Sequence, residues 1–320
     1  MKLSYNILCV DDEIESLSRA KDDFRKFNAE VGIDVVYHDV STNPGPREKP
    51  EELEQRIREE LTQKFKHNIF ELILVDLHMK LGINGQKVIE WIRESHSIYR
   101  PVIFYSGGTP PADDVAISQL SDAAKSANIL GKNLMITSRS GLLALLKEIA
   151  GEMHREEHKV NQVRGLLMDQ VSEIDAKMIK VISSLWSSIP ASEQSKVQKA
   201  LLERLDHKLK VACEIRKKLR GVSFDDTLKI LDDEMEYIGT FARAKILRSI
   251  LKAIPNLSAQ AEDVKDFCNG KVHLMGLRND YAHKSASDIE IGHDDERCKF
   301  IREKSRKYNA SLDEAIQHKQ

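Results

Sequence analysis

The chain has 320 residues, which is enough for two domains with separate hydrophobic cores. Its 49 Lys and Arg against 51 Asp and Glu leave a formal net charge of -2. This balance excludes an extensive basic surface that wraps nucleic acid, so any RNA contact must be local. The cysteines lie far apart, at Cys9, Cys213, Cys268 and Cys298. Their spacing argues against a zinc site or a disulfide framework and, with no signal peptide or long apolar run, predicts a cytoplasmic protein without membrane contact.

Apolar strand patterns alternate with amphipathic helix patterns through the first part of the chain. Short buried strands are predicted at residues 6–10, 33–40, 70–75, 101–105 and 133–137. Helix patterns are found at residues 14–30, 51–66 and 86–95, and from about residue 141. Strands and helices that alternate in this way form a doubly wound, five-stranded parallel sheet. The sequence therefore predicts an α/β domain over residues 1–153.

Acidic and hydroxyl side chains stand where the predicted strands end. Asp11 and Asp12 follow the first strand, Asp76 follows the third, and Ser106 follows the fourth. The carboxyl ends of parallel strands meet at one edge of an open α/β sheet, and ligands bind at that edge, so we expect these side chains to lie close together. Clustered carboxylates indicate a site for a divalent cation.

The segments that carry these residues resemble the response-regulator receiver family. The matching residues are Ile7-Leu-Cys-Val-Asp-Asp-Glu13, Leu72-Ile-Leu-Val-Asp-Leu-His-Met79, Gly85, and Pro101-Val-Ile-Phe-Tyr-Ser106. The resemblance implies that Asp76 accepts a phosphoryl group and that the Ser106 hydroxyl reads it. It also implies that Mg²⁺ is held by Asp11, Asp12, Asp76 and the backbone carbonyl of His78. The expected partner of such a domain is a sensor kinase or another signalling protein.

Two features depart from the receiver pattern. The family's lysine after the fifth strand is absent, and Ser138 or Arg139 stands at its position. Arg139 would supply the cation of the phosphoryl switch. Its charge is spread over a planar guanidinium group, whereas the charge of a lysine is concentrated on one ammonium group. The stretch between Asp11 and Asp76 is long for a receiver, which we attribute to an insertion at about residues 41–66. An alternative interpretation is that the receiver is not phosphorylated and that a partner protein holds it in one state.

From Ser140 onwards the pattern is helical and predicts an all-α bundle. Apolar residues keep helical spacing through residues 154–188, which form either a connector and dimerisation helix or a core helix of the bundle. Residues 189–320 form the helical domain, which includes 154–188 in the second case. The basic run Lys299 to Lys307 would be either an RNA-contacting tail or a solvated terminal helix.

A polar cluster, Arg278-Asn-Asp-Tyr-Ala-His283, interrupts the amphipathic pattern of the helical part. On a helix Asn279 and His283 share a face, whereas Arg278 and His283 point about 140° apart, so one copy presents an incomplete site. Two copies related by a two-fold axis would bring two arginines and two histidines to one cleft. Imidazole and guanidinium groups suit attack of an RNA 2′-hydroxyl on the adjacent phosphodiester without a metal.

This Arg-x4-His pattern, with Asn after the Arg, resembles the signature of the HEPN family of helical ribonucleases and nucleic-acid-associated domains. The resemblance implies a homodimer with a composite site for an RNA substrate. In that site Arg278 would hold phosphate, His283 would act as general base or acid, and Asn279 would orient one of them. The two resemblances together predict a receiver-regulated, metal-independent endoribonuclease in stress response or phage defence, with Mg²⁺ in the receiver and no cofactor in the helical domain.

Other interpretations of the cluster stay open. Residues 281–284 also resemble the phospho-acceptor box of histidine phosphotransfer domains, which would make the chain a phosphorelay protein. A helical domain without catalysis would serve dimerisation or partner binding in a signalling protein. Finally, Asp280 and Lys284 have the spacing of an ordinary ion pair on a solvated helix face.

Overall fold

The chain folds into two compact units, Lys2–Glu157 and His158–Gln320. A computed structural model describes residues 2–80, 83–96, 100–107, 113–126, 133–204, 210–234, 238–269, 273–290 and 293–318. The division falls four residues after the predicted end of the α/β domain at residue 153, because the last helix of the first unit continues to Glu157. Each unit is described by itself below.

The first unit contains a five-stranded parallel sheet. Its strands are β1 (Ser4–Asp11), β2 (Asp34–Ser41), β3 (Leu72–Asp76), β4 (Val102–Ser106) and β5 (Leu134–Ser138). They lie in the order β2-β1-β3-β4-β5, and each neighbouring pair is parallel. This finding confirms the predicted doubly wound sheet, and each strand lies within two residues of its expected position.

Helices cover both faces of this sheet. They are α1 (Ser18–Ala29), α2 (Pro50–His67), α3 (Gly85–His96), α4 (Asp113–Ser126) and α5 (Leu142–Glu157), and a 3₁₀ turn at Ile14–Leu17 precedes α1. Successive strand residues point to opposite faces. Leu8 and Val10 of β1 therefore enter one apolar core, whereas Ile7 and Cys9 enter the other. The first core packs against α2, α3 and α4, and the second against α1 and α5.

Residues 41–66, which the sequence analysis treats as an insertion, contain a required connection. Helix α2 is the crossover between β2 and β3, and parallel strands cannot be joined without such a crossover. The loop before α2 is fastened by Arg56, which donates to the carbonyls of Ser41 and Asn43 at 3.0 Å each and pairs with Glu48 at 2.9 Å. The segment is thus a long crossover and not an added element.

The second unit is helical throughout its described residues, which confirms the predicted all-α part. Its helices are α6 (Val160–Leu185), α7 (Ala191–Arg204), α8 (Lys210–Leu219), α9 (Phe224–Glu234), α10 (Thr240–Ala253), α11 (Ser258–Asn269), α12 (Leu274–His283), α13 (Ala286–Glu290) and α14 (Asp295–Gln317). Helix α6 packs against α10, α12 and α14. Residues 160–185 therefore form the central helix of the bundle, and not a separate connector. Among the described residues, no helix is long and apolar enough to cross a membrane.

The C-terminal helix α14 is a core element rather than a basic tail. Cys298, Ile301, Tyr308 and Leu312 are buried at helical spacing along it. Two cations of the run that suggested an RNA-contacting tail are paired within the bundle, since Lys304 and Lys307 contact Asp266 and Asp263 of α11 at 2.5 and 2.7 Å. The sequence pattern concealed this role because charged residues stand between the buried positions.

We therefore expect Ile301→Ala to destabilise the helical unit. Ile301 has no solvent exposure, and truncation of a buried Ile to Ala costs about 2–5 kcal/mol of the free energy of unfolding. Urea denaturation followed by the fluorescence of Trp186, in a Trp91→Phe background, would measure the loss. The exposed Glu303 is the matched control, and Glu303→Ala should change the unfolding free energy by less than about 0.5 kcal/mol. Equal effects of the two variants would show that α14 is not part of the core.

Candidate functional site

The carboxylates predicted at the sheet edge lie together in the structure. Asp11 ends β1 and Asp76 ends β3, and the parallel register that pairs Val10 with Val75 places the two acids side by side. Asp12 completes the cluster: one carboxylate oxygen of each acid lies within 4.8 Å of the others. Asp11 and Asp76 are 0% and 3% exposed. This oxygen-rich cluster has the donor chemistry that a Mg²⁺ ion requires.

The cation of Arg139 stands between the two buried acids. Its Nη2 atom lies 3.1 Å from Asp11 Oδ2 and 3.3 Å from Asp76 Oδ2, and its Nη1 atom donates to the Ser16 hydroxyl at 2.9 Å. On the other side of the cluster, Lys80 Nζ lies 3.6 Å from Asp12 Oδ2. The acids are thus partly neutralised by side chains of the protein, with which any divalent cation would have to compete.

The environment of Asp76 strongly disfavours its negative charge. Burial raises the pKa of its carboxyl group, and the neighbouring charges of Asp11 and Asp12 raise it further, while Arg139 opposes the shift. The net effect raises the pKa of Asp76 to about 7. A carboxylate that is destabilised in this way gains from a positively charged ligand or from loss of its charge.

Tyr105 belongs to the site, although the sequence analysis placed it only in a strand. Its hydroxyl donates to Asp11 Oδ2 at 2.5 Å, and the register pairs it with Asp76. Burial and the charge of Asp11 raise the pKa of Tyr105 well above its usual value, so the phenol stays protonated and serves as a donor. Strand alternation was the available signal, because Tyr105 shares a face of β4 with Ile103, and that face continues to Asp11 and Asp76.

Three buried oxygens at this edge have no hydrogen-bond partner among the described residues, and one of them, Thr42 Oγ1, lies at the end of β2. The other two lie at the ends of β3 and β4. They are Asp76 Oδ1 and the Ser106 hydroxyl oxygen. An unsatisfied buried polar atom is costly, so it indicates a group that binds there. An acceptor carboxylate beside an open hydroxyl fits an incoming phosphoryl group, which supplies oxygens for the hydroxyl to contact. The roles of Asp76 and Ser106 in accepting and contacting a phosphoryl group stay predictions.

Backbone geometry around Asp76 depends on Gly85. A Cβ atom at residue 85 would lie 2.1 Å from the carbonyl oxygen of Asp76 and 2.6 Å from the ring of Phe104. The Gly85 N–H donates to the Leu77 carbonyl at 3.1 Å, which draws the start of α3 against the end of β3. Only glycine permits this approach, so Gly85 fixes the loop that follows the candidate phospho-acceptor.

The remaining predicted receiver residues take different positions. Ser138 pairs with Ser106 across β4 and β5, and its hydroxyl accepts from Gly141 N at 3.2 Å, so it caps a turn and offers no charge. Arg139, and not Ser138, therefore brings a cation to the acids. His78 lies in the loop after Asp76 and forms an isolated antiparallel bridge with Asn84.

The predicted residues of the helical unit lie on the surface of α12. Asn279 and His283 are exposed and Arg278 is half-buried, and Arg278 Nη1 donates to Asn279 Oδ1 at 3.1 Å. The ordinary pair expected on this face also forms, since Lys284 Nζ lies 3.1 Å from Asp280 Oδ1. One copy of the chain thus presents these groups to solvent, without an enclosing cleft among the described residues.

Helix α12 is anchored through Tyr281, which lies between these surface groups in sequence. Tyr281 is 1% exposed, and its hydroxyl lies 2.6 Å from His293 Nδ1. His293 in turn contacts the backbone carbonyl of His158. The His158 ring lies between Asp295, at 2.6 Å, and the fully buried Arg302, at 3.1 Å. The sequence analysis missed this network because its members are far apart in the chain.

Comparisons with known proteins give matches only among solved structures. No protein-family model matches the chain, and none of the curated proteins compared with it is a match. A receiver domain protein (CheY-like) from Methanospirillum hungatei JF-1 is 18% identical and has a TM-score of 0.29, and the match covers 48% of this chain and 98% of that one. A response regulator receiver protein from Sinorhizobium medicae WSM419 is 14% identical and has a TM-score of 0.27. That match covers 45% of this chain and 95% of the other. The receiver domain of the Francisella response regulator 1452 is 17% identical and has a TM-score of 0.27. That match covers 46% of this chain and 98% of the other.

The first unit has a doubly wound, receiver-like fold. The all-parallel strand order β2-β1-β3-β4-β5, with helices on both faces, is the flavodoxin-like arrangement that receivers share. The acidic cluster lies at the carboxyl edge of the central strands, where this architecture binds ligands. The N-terminal unit is therefore receiver-like in fold and in the position of its acidic cluster.

The raised pKa of Asp76 predicts how the stability of this unit depends on pH. The folded-state pKa of about 7 exceeds the ordinary value of 3.8, so between these values the folded unit keeps a proton that the unfolded chain releases. Stability should therefore fall as the pH rises from about 4 to about 7 and stay lowered above that range. Asp76→Asn should remove this fall and raise the melting temperature at pH values well above 7, in the presence of a chelator.

Thermal denaturation by circular dichroism at several pH values would test this expectation. A change of about 1 kcal/mol shifts the midpoint by roughly 2–4 °C for a domain of this size. Asp114→Asn, at an exposed position of α4, is the matched control and should leave the pH dependence unchanged. A lower midpoint for Asp76→Asn at high pH would contradict the charge repulsion argued here.

Proposed function

We propose that the N-terminal unit is a phosphoryl-controlled signalling switch. The observation that carries the proposal is the buried Asp76, which is bridged to Asp11 by Arg139 and has one oxygen without a partner among the described residues. That oxygen would attack the phosphorus of a phosphodonor, such as a phosphohistidine of a sensor kinase, as the phosphorus–nitrogen bond breaks and the imidazole leaves with a proton from solvent. The Ser106 hydroxyl would then donate to the new phosphoryl oxygens.

Phosphoryl transfer to Asp76 would bring negative charges together, so the reaction requires cations at the site. Asp11, Asp12 and Asp76 would hold Mg²⁺, with the backbone carbonyl of His78, and the ion would offset the negative charge of the carboxylates and the phosphoryl group. Arg139 already lies against two of these acids. Arg139 would take the role of the lysine that receivers carry and this chain lacks. Its guanidinium N–H groups would pair with the phosphoryl oxygens.

For the helical unit we propose a metal-independent endoribonuclease that acts as a dimer. Arg278, Asn279 and His283 offer phosphate-binding, orienting and proton-transfer groups within two turns of one exposed helix. His283 would take the proton of an RNA 2′-hydroxyl as the hydroxyl oxygen attacks the adjacent phosphorus. The bond to the 5′-oxygen would break, leaving a 2′,3′-cyclic phosphate and a 5′-hydroxyl. A second copy would complete the cleft that one copy lacks.

Regulation would act on how two copies of α12 meet. His158 is the first residue of the helical unit, and its carbonyl is tied through His293 to Tyr281 on α12. The chain that enters the bundle is therefore connected to the motif helix by hydrogen bonds. A bias of a few kcal/mol between two dimer arrangements would be enough to switch the composite site.

His283→Ala or Arg278→Ala should abolish RNA cleavage while dimerisation and fold are kept. Loss of a general acid or base reduces the rate by roughly 10²–10⁴-fold, and both side chains lie at the surface, where truncation disturbs little packing. Cleavage should survive EDTA, and the products should end in 2′,3′-cyclic phosphate. Labelled RNA on denaturing gels would report the rate, and light scattering would report the dimer.

Asp280→Asn is the matched control, because it changes an exposed charge of the same helix outside the proposed trio. Cleavage that EDTA stops and that His283→Ala leaves unchanged would contradict the ribonuclease proposal. Acid-labile phosphate on His283, after incubation with phosphodonor and Mg²⁺, would instead establish the phosphorelay alternative.

Occupation of Asp76 by a phosphoryl mimic should change the activity or dimer geometry of the full chain. Beryllofluoride with Mg²⁺ mimics the phosphoryl group, and Asp76→Ala removes its acceptor. We expect the mimic to alter cleavage rate, or crosslinking between protomers, in the wild type and in Asp114→Ala but not in Asp76→Ala. Isothermal calorimetry would establish that the mimic binds. Binding without any change in cleavage or crosslinking would show that the receiver does not control the helical unit.

A further inference from the structure

A cavity between α10 and α11 carries a cluster of cations. Its volume is about 120 Å³. The residues from α10 include Lys245, Arg248 and Lys252, and Lys265 faces them from α11. Lys252 and Lys265 are exposed, so the cavity opens at the surface of the helical unit. The surface around it is rich in donors for an anionic ligand.

The positive charge of this groove exceeds the negative charge beside it. Arg248, Lys252 and Lys265 all contact one carboxylate, that of Glu262, at 3.3, 3.7 and 2.8 Å. Within the described part of the chain, Lys245 has no carboxylate partner. The single carboxylate of Glu262 therefore pairs with three cations, and Lys245 is a fourth cation without such a pair. The groove thus has a local excess of positive charge.

Arg248 and Lys245 both line the cavity from α10. The Arg248 Nε atom is buried and has no hydrogen-bond partner among the described residues. Lys245 Nζ lies 4.0 Å from the centre of the Phe241 ring, a cation–π contact that leaves its charge able to attract a phosphate. Lys245 lines the cavity and pairs with no carboxylate among the described residues, so its charge is available to an anionic ligand.

An exposed aromatic ring extends the groove. Phe241 is 44% exposed, an unusual position for a large apolar side chain. Phe241, Lys245, Arg248 and Lys252 recur at intervals of four, three and four residues, so they form one stripe along α10. A stripe that combines cations with an exposed ring matches the chemistry of single-stranded nucleic acid, in which charged phosphates alternate with flat bases.

We propose that the groove between α10 and α11 binds single-stranded RNA, with a phosphate in the basic cavity and a base stacked on Phe241. The inference rests on the proposed ribonuclease function and adds a substrate-binding surface distinct from Arg278, Asn279 and His283. Acidic peptides would satisfy the cations but not the ring, and duplex RNA would keep its bases stacked on one another. The exposed ring is thus what favours a single strand.

Binding can be measured separately from cleavage. The probe is a short fluorescein-labelled oligouridylate, and the protein is the full chain with His283→Ala, so that no product forms. Fluorescence anisotropy gives the dissociation constant at several salt concentrations. If about three phosphates are neutralised, the logarithm of the binding constant should fall with the logarithm of salt concentration with a slope of roughly -2.

Two further changes in this background test the two parts of the site. Lys252→Glu should weaken binding by roughly tenfold and flatten the salt slope by about one. Phe241→Ala should weaken binding by about five- to a hundredfold and leave the salt slope unchanged, because stacking is worth about 1–3 kcal/mol per base. Lys229→Glu, at an exposed position of α9, makes the same charge change elsewhere and should leave binding unchanged.

Several outcomes would overturn the inference. If Lys229→Glu and Lys252→Glu weaken RNA binding equally, binding depends on the net charge of the protein and not on the groove. Unchanged binding in Phe241→Ala, together with equal affinity for poly-glutamate, would assign the groove to acidic polymers. Tighter binding of duplex RNA than of the single strand would also exclude it. Tight binding of RNA that the wild-type protein leaves uncleaved would support the groove and count against the ribonuclease proposal, so the two can fail separately.

Discussion

Two carboxylates that are almost completely buried, Asp11 and Asp76, end neighbouring strands of the N-terminal sheet. Such charges repel each other and are costly to remove from water unless a cation offsets them. Arg139, from the loop after β5, supplies that cation and so ties three strand ends together at one edge. The Tyr105 hydroxyl completes the shell of Asp11. A divalent ion or a phosphoryl group must therefore compete with, or recruit, an arginine that already neutralises the site.

A comparable constraint acts on the motif helix of the second unit. Tyr281 faces inward while Asn279 and His283 face solvent, so the buried phenol fixes which side of α12 is presented. Its contact with His293 closes a hydrogen-bonded path to the carbonyl of His158. Burial raises the pKa of Tyr281 to about 12, so its hydroxyl keeps its proton over the physiological range. The surface groups are thus positioned by a buried tyrosine whose hydroxyl stays protonated.

Periodicity was sufficient to predict the sheet, the helical bundle and the meeting of Asp11, Asp12 and Asp76, because parallel strands deliver their ends to one edge. Only the receiver resemblance pointed to Arg139, as one of two candidates for the position of the missing lysine, since the choice between Ser138 and Arg139 depends on a turn that the sequence pattern does not define. Tyr105 was missed because an aromatic residue in a strand is usually core. Helix α14 was misjudged because Arg302 and Ser305 are buried, and polar residues at core positions disguise an apolar face.

The formal charge of -2 excludes a protein that is basic all over, but it does not describe any one surface. In the helical unit Asp263 and Asp266 of α11 are engaged by Lys307 and Lys304 of α14. Those acids neutralise cations within the bundle and are not available to the opposite face of α11. Glu262 alone serves the cations that line the groove with α10, among the pairs that the described residues form. A near-neutral chain can therefore present a basic surface wherever internal ion pairs take up its acids, and that distribution depends on tertiary contacts that composition does not contain.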